Sequence, residues 1–430
     1  MTSTGGETET GGSGRAYSVL VHRDYRLLWS AEFASSLGTQ VQRVAVAWQV
    51  FQLTGDPVKL GLLGLCRFVP ILLFGLAGGV VADRYDRRRT LLVSQLALLL
   101  TSALLAFLTI EGSINLIAIY AVTMVSATVG AVAGPTRQAL VPLLIPRHRL
   151  TGAMTMSILA SQVATVSGPA VGGLIIGRFG VGPAYVLDAL SFGAVALAVV
   201  ALHIRPVAIP SARGGLADAI EGLRFLRASP ILLSVMSIDF VATFFGASTV
   251  LMPIFATQVL HVGPSGLGLL LAAPAAGAVV GSAVMSVVRL PVRPGLGVIV
   301  AVAAYGACIL VFGLSHTLWL SLVSLAGSGA ADAVSMALRH TVRNLITPDA
   351  LRGRIAAAHS TFAMGGPQLG EFEAGLVAAM VGAGPSVALG GLGTILAAAI
   401  VAWRVPGTAA YRATPAPAMV APAAKSPVVR

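Results

Sequence analysis

Arg43, Arg67, Asp188, Asp239, Asp332, Glu371 and Glu373 each interrupt a stretch of otherwise apolar residues. Ionisable groups in such surroundings are expensive, and they are kept for a task or for a partner of opposite charge. The two arginines fall in the first half of the chain and most of the acids in the second, so pairing across the halves is expected. Gln40, Gln42 and Gln49 surround Arg43. A low dielectric favours the neutral form of a carboxyl group, which suits an acid that takes up a proton and gives it back. Glu371 is the leading candidate for that task and Asp239 the next, with Glu373 and Asp332 after them; the competing reading is a static salt bridge to Arg43 or Arg67. Glu373 follows Glu371 by two positions, about 200° around a helix, so one of the two is expected to face a shared interior. Asp332 and Arg339 are seven residues apart and share a helix face, where they can form part of a gate. Glu32 is a weaker candidate, placed where it can favour a helix N-terminus.

Other chemistries lack their residues. The chain has no G-x-x-x-x-G-K-[S/T] loop to cradle a nucleotide. It has no convincing nucleophile–base pair and no metal-ligand cluster, so neither an enzyme nor a cofactor is expected. Cys66 and Cys308, far apart, read as small apolar packing residues rather than a disulfide. His203 and His359 have no ligand partners at metal spacing and read as ordinary residues.

The elements that hold these charges follow from composition. Of 430 residues, 56% are hydrophobic and only 10% charged, and the mean hydropathy is +0.88. Apolar blocks of about 18 or more residues read as membrane-spanning helices. Spans are expected at 27–53, 57–82, 90–110, 114–138, 151–177, 183–203, 230–259, 265–288, 296–314, 317–343, 353–382 and 386–404. Alternate ends of these spans carry nearly all the basic residues, among them Arg84, Arg87, Arg88, Arg89, Arg147, Arg149, Arg289 and Arg293; the opposite ends carry only Lys59 and Arg178. That asymmetry places both termini in the cytoplasm. It also accounts for the net charge of +12 without a nucleic-acid partner.

Five segments are expected. Residues 1–22 form a polar tail without a signal peptide, and 23–204 a first six-helix bundle. Residues 205–229 form a basic cytoplasmic linker in which 216–225 can make an amphipathic surface helix. Residues 230–405 form a second six-helix bundle, and 406–430 a Pro- and Ala-rich tail. A weak internal repeat joins the bundles: Arg137 to Gly152 parallels Arg339 to Gly353, and Gly168-Pro169 parallels Gly366-Pro367.

Two motifs are specific. Gly79-Val-Val-Ala-Asp83-Arg84-Tyr85-Asp86-Arg87-Arg88 resembles the major facilitator signature G-x-x-x-D-R-x-x-R-R, at the position where that superfamily has it. Ala164-x-x-x-Gly168-Pro169-x-x-Gly172-Gly173 is similar to the G-x-x-x-G-P-x-x-G-G motif of its antiporters, with Ala for the first Gly. Small residues at that spacing make a smooth helix face, and Pro169 removes a backbone donor. Val44-Ala-Val-Ala-Trp48-Gln, Leu187-Asp188-Ala-Leu-Ser191-Phe192 and Leu351-Arg-Gly353-Arg354-Ile extend the likeness over about residues 20–405. Taken whole, the chain resembles the drug and siderophore exporter branch, which includes enterobactin, macrolide and multidrug efflux proteins.

The resemblance implies an all-α integral membrane protein of the major facilitator fold, about twelve transmembrane helices in two pseudo-symmetric six-helix bundles. It implies a monomeric, multi-pass protein of the bacterial inner membrane whose partners are the lipid bilayer, a small amphiphilic substrate and protons. Its expected action is proton-coupled export by alternating access. Spans 1, 4, 7 and 10 would line a central cavity, with spans 2, 5, 8 and 11 bordering it. Gly79, Asp83, Arg84, Arg87 and Arg88 would gate, with Asp83 near the start of helix 11. Gln40, Trp48, Phe244, Phe245 and Phe362 would meet a flat cargo. Two alternatives stay open: a lysophospholipid transporter of the same fold, and a transport-inactive membrane receptor or scaffold.

Overall fold

The computed structural model describes residues 16–203, 224, 226, 229–288, 292–348 and 351–411; the side chains of 16, 75–84, 147, 352–354 and 356–364 lie outside that description. Twelve long helical segments are described: α1 (Arg23–Thr54), α2 (Pro57–Arg84), α3 (Arg87–Ile110), α4 (Leu116–Leu144), α5 (Leu150–Phe179), α6 (Val181–Ala201), α7 (Pro230–Phe245), α8 (Gly263–Val287), α9 (Pro294–Leu314), α10 (Leu318–Ile346), α11 (Arg352–Val381) and α12 (Ala383–Arg404). Ten segments are long and apolar enough to cross a membrane, counting α7 with its continuation to Val259 as one. The other two, α1 and α11, are 32 and 30 residues long and hold the glutamines and charges singled out above. Chain ends and the turns after even-numbered helices lie at one end of the bundle, the terminal end. The turns at Gly55, Gly180 and Gly382 lie at the far end.

Local chemistry sets the turns. Asn115 caps α4 by accepting a hydrogen bond from Ala118 N at 2.9 Å, which satisfies one of the free amides of a helix start. Single residues, Gly180 and Gly382, join α5 to α6 and α11 to α12, with φ of 83° and 93°; only glycine adopts such angles without strain. They occupy corresponding places in the two halves.

The halves repeat one packing scheme. In the first, α1 packs on α5 and α6, α3 on α4 and α6, and α2 on α4. In the second, α7 packs on α11 and α12, α9 on α10 and α12, and α8 on α10. The halves meet chiefly through α2 with α11 and α5 with α8. These helices approach closely at the far end, because glycine faces glycine: Gly61 against Gly375, and Gly173 against Gly268. Small residues permit such approach where lipid gives helices no hydrophobic drive to associate.

Three details depart from the expected pattern. The tails are shorter than their composition suggests: Ala16–Val21 forms a 3-10 helix with Val19 buried against Tyr25, Ile145 and Ala153. Pro406–Ala410 forms a helical turn whose Thr408 hydroxyl bonds Ser234 at 2.6 Å. The seventh span is not one regular helix; it stops at Gly246 and resumes through a 3-10 turn, Thr249–Leu251, and a π-helical turn, Phe255–Val259. Most of the linker, 204–223, lies outside the described residues, but Leu226 is buried with Leu232, Met236 and Ile355.

Candidate functional site

Three charges converge where the halves meet. Arg43 lies eleven residues from the far end of α1, Arg67 ten from that of α2, and Glu371 ten from that of α11. At 1.5 Å per residue these depths are about 15–17 Å, close to the middle of a hydrocarbon core about 30 Å thick. Arg67 Nη1 stands 3.6 Å from Glu371 Oε2, joining the two halves. That separation makes an ion pair without a hydrogen bond, and Oε2 is shielded from solvent with no hydrogen-bond partner. Gln368, one turn earlier on α11, has a shielded Oε1 in the same condition. Arg43 is close enough to Arg67 and Glu371 to feel both charges. Its Nη1 donates to Gln40 Oε1 at 2.9 Å. Arg43 is exposed, beside the interfacial Arg67 and Glu371.

A second charged layer lies nearer the terminal end. Arg339 on α10 pairs with Asp239 on α7 at 2.5 Å and with Asp332 on its own helix at 3.2 Å. Asp239 and Arg339 are buried, whereas Asp332 is 38% exposed. The first half holds the counterpart: Arg137 on α4 pairs with Glu32 on α1 at 3.3 Å. Both acids are the tenth residue of their helix, and both arginines the twenty-second. The repeat therefore reproduces an acid–arginine bridge between first and fourth helix of each half. Glu32 is in its third turn and meets Arg137 there, rather than serving the helix N-terminus.

Asp188 has another setting. It is fully buried in the first half, where Ser102 Oγ donates to its Oδ2 at 2.6 Å and Gln42 Nε2 donates to Ser102 Oγ at 2.8 Å. A parallel chain joins Tyr185, Gln49 and Thr109. These bonds tie α1, α3 and α6 together. Sequence reading saw the glutamines but not this use, because their partners are about 60 to 140 residues away.

The remaining candidates separate. Glu373 is half-buried, and among the described residues it has no ion pair. Trp48 does not line the space between the halves; it is 6% exposed in the far-end core, against Phe51. Phe245 points onto α12, where its ring covers Gly393. Phe244 stacks on Phe240 at 6.1 Å, and its carbonyl abuts Gly370 of α11. Phe68, beside Arg67, reaches Gly365 of α11 and was not foreseen. The side chain of Phe362, and those of Asp83 and Arg84 with the Gly79 position, fall outside the described residues.

The rest of the signature loop is visible. Asp86 caps α3 through Arg89 N at 2.8 Å. Arg87 Nη1 donates to the Ala139 carbonyl of α4, and Arg88 donates to the carbonyls of Val199 and Val200 in the last turn of α6. Cations there complement the negative helix end, so these arginines brace their own half. In the second motif, Gly168 and Gly172 face Gln40 and Val41 of α1, while Pro169 and Gly173 face Gly268 of α8. One helix face thus packs within its half and the next across the interface.

Comparison with known proteins agrees with this architecture. The chain is 27% identical over 379 residues to the enterobactin exporter EntS of Citrobacter koseri, covering 87% of this chain and 90% of that protein. It is 27% identical over 398 residues to EntS of Escherichia coli, covering 92% and 94%. Among solved structures, a bacterial homologue of the human lysosomal transporter Spinster, inward-facing and unoccupied, superposes with a TM-score of 0.69 at 17% identity, over 94% of this chain and all of that one. The nucleoside transporter NupG superposes with a TM-score of 0.70 at 14% identity, over 91% of this chain and all of that one. These likenesses fix the fold. The profile of a family described as transmembrane secretion effector matches residues 14–428, and the chain belongs to that family of major facilitator transporters.

Proposed function

We propose that this multi-pass membrane protein exports a small amphiphilic molecule, of the kind siderophores and drugs represent, by proton-coupled alternating access across a bacterial inner membrane. The observation that carries the reading is the Arg67–Glu371 pair, 3.6 Å apart, which bridges the two halves at mid-depth. Packing across the halves at the far end closes one entrance; rocking to the opposite state separates α2 from α11 and breaks the pair. Glu371 then loses its cation and meets water from the far side, where it takes up a proton. On return it releases the proton and pairs with Arg67 again. The proton thereby has different affinity in the two states, which any coupling requires. Similarity to enterobactin exporters over nine-tenths of the chain supports the outward direction. The cytoplasmic placement of both termini rests on the basic loops.

Everted membrane vesicles with an acidic lumen test this. A panel of siderophores, macrolides and dyes is offered, and lumenal pH is followed. One cargo is expected to enter and to release protons. Glu371→Gln abolishes the proton release, while Glu373→Gln, at a position without an ion pair, keeps it. Proton release that survives in Glu371→Gln would remove Glu371 from coupling. Entry of fluorescent lysophospholipid, with no entry of the soluble cargoes, would replace the exporter reading with lipid transport.

A further inference from the structure

We infer that the cargo carries an anionic group and that Arg43 is its anchor. The inference rests on the exporter reading for the word cargo, and on the central charges for its chemistry. At mid-depth the interface holds two guanidinium groups, Arg43 and Arg67, and one carboxylate, Glu371. Among the described residues, α7 adds Asp239, which is committed to Arg339 in the other layer, and α11 adds Glu373, about 200° around the helix from Glu371 and without an ion pair. One of the two guanidinium groups therefore has no carboxylate partner at this depth among the described residues, and an anion would balance it.

Geometry selects Arg43 as the open cation. Arg67 is held by Glu371 across the interface. Arg43 has only the neutral Gln40 as a hydrogen-bond partner among the described contacts, and it is exposed. Gln40 packs on Gly168 of α5, where a Cβ would approach its side chain closely. That packing holds the acceptor in place, so the Arg43 fork is oriented before a ligand arrives. A planar fork of this kind suits a carboxylate or a similar delocalised oxyanion, which it can hold through two parallel bonds.

The neighbours describe the rest of such a cargo. Gln40, which holds Arg43, keeps an amide group beside it that can donate a hydrogen bond to a cargo oxygen. Phe68 next to Arg67, and the Phe240–Phe244 stack, offer flat apolar surface on the side of α11. An aromatic anion meets these groups. Charge counting also gives Glu371 a second role. While ionised it holds Arg67 across the interface, which leaves Arg43 as the cation open to an anionic group.

The test uses purified protein in nanodiscs, with empty nanodiscs as the blank. The probes are 1-naphthoate and 1-naphthamide, alike in shape and unlike in charge. Equilibrium dialysis is expected to show naphthoate bound about tenfold or more tightly than the amide. Arg43→Gln brings the ratio near one, and Arg43→Lys retains a clear preference for the acid. Retained elution volume and melting temperature establish that Arg43→Gln is folded, and Arg43→Lys serves where it is not. Equal binding of the two probes to the unaltered protein, no binding of either, or a preference indifferent to both Arg43 variants overturns the inference. Failure of the exporter reading is distinguishable, since anion binding through Arg43 can persist in a protein that moves none of the cargo panel.

Discussion

Arg339 holds two carboxylates at once, one on α7 and one on its own helix, with only 5% of its side chain exposed. Removing one partner of a buried pair costs about 3–5 kcal/mol, whereas replacing both with apolar groups is often neutral. Arg339→Met is therefore expected to lower the melting temperature of the purified protein sharply. Asp239→Leu combined with Arg339→Met recovers most of the loss. Equal stability of Arg339→Met and the unaltered protein would mean that the bridge opens freely in this state. Part of this layer was legible: Asp332 and Arg339 are one heptad apart, and that spacing alone places them together. Asp239 reaches Arg339 from 100 residues away, and Arg137 reaches Glu32 from 105. No local spacing encodes such pairs. Their trace in the sequence is the repeat itself, in which Arg137 and Arg339 begin parallel segments. Glu371 stood between two partners by charge alone, and geometry selects Arg67 for the contact while leaving Arg43 to Gln40.

The helices were legible because a bilayer leaves the chain few choices. Every span must satisfy its own backbone, so long apolar blocks and alternating basic ends located all twelve within a few residues. The break in α7 was not legible. Gly246 and Pro253 stand in residues 246–262, but the stretch is otherwise apolar like a regular span, and its 3-10 and π turns pack against α1, α2, α8 and α11 from distant parts of the chain. Helix contacts across the halves suggest how the far entrance is held. A Cβ at Gly64 would fall 2.9 Å from the Cβ of Glu371 and closer still to the Gln368 carbonyl. Overpacking of this kind costs about 1–3 kcal/mol, enough to shift the equilibrium away from the far-closed state roughly five- to 150-fold. Gly64→Val should push α2 from α11. Spin labels at Glu111 and His316, on far-end turns of opposite halves, should then report a longer distance and slower transport. An unchanged distance would show that α11 yields locally instead of moving with its half.

At the scale of the molecule, the charge placement bears on what drives export. An interior-negative membrane favours the outward passage of an anion and the inward passage of a proton alike, by about 2.3 kcal/mol per charge for each 100 mV. An exporter that anchors an anion on Arg43 and returns a proton on Glu371 moves net charge in every cycle, so both legs draw on the potential. In proteoliposomes with no pH gradient, a potassium diffusion potential set with valinomycin should accelerate export. The two legs separate by substitution. Glu371→Gln removes the proton leg, so any potential dependence that remains is that of the cargo's own charge. Per unit cargo charge, 100 mV then corresponds to a roughly fifty-fold shift in the accumulation ratio at equilibrium. A Glu371→Gln protein that still transports but ignores the potential would mean an uncharged cargo, and would leave Arg43 as a structural partner of Gln40. If potential dependence is retained in Glu371→Gln and disappears in Arg43→Gln, the mid-depth arginine is what couples the membrane field to the cargo. The asymmetry of the two halves would then fit that role: the acid–arginine bridge occurs once in each half, bracing its own bundle, while Arg43, Arg67 and Glu371 meet only once, where the halves join.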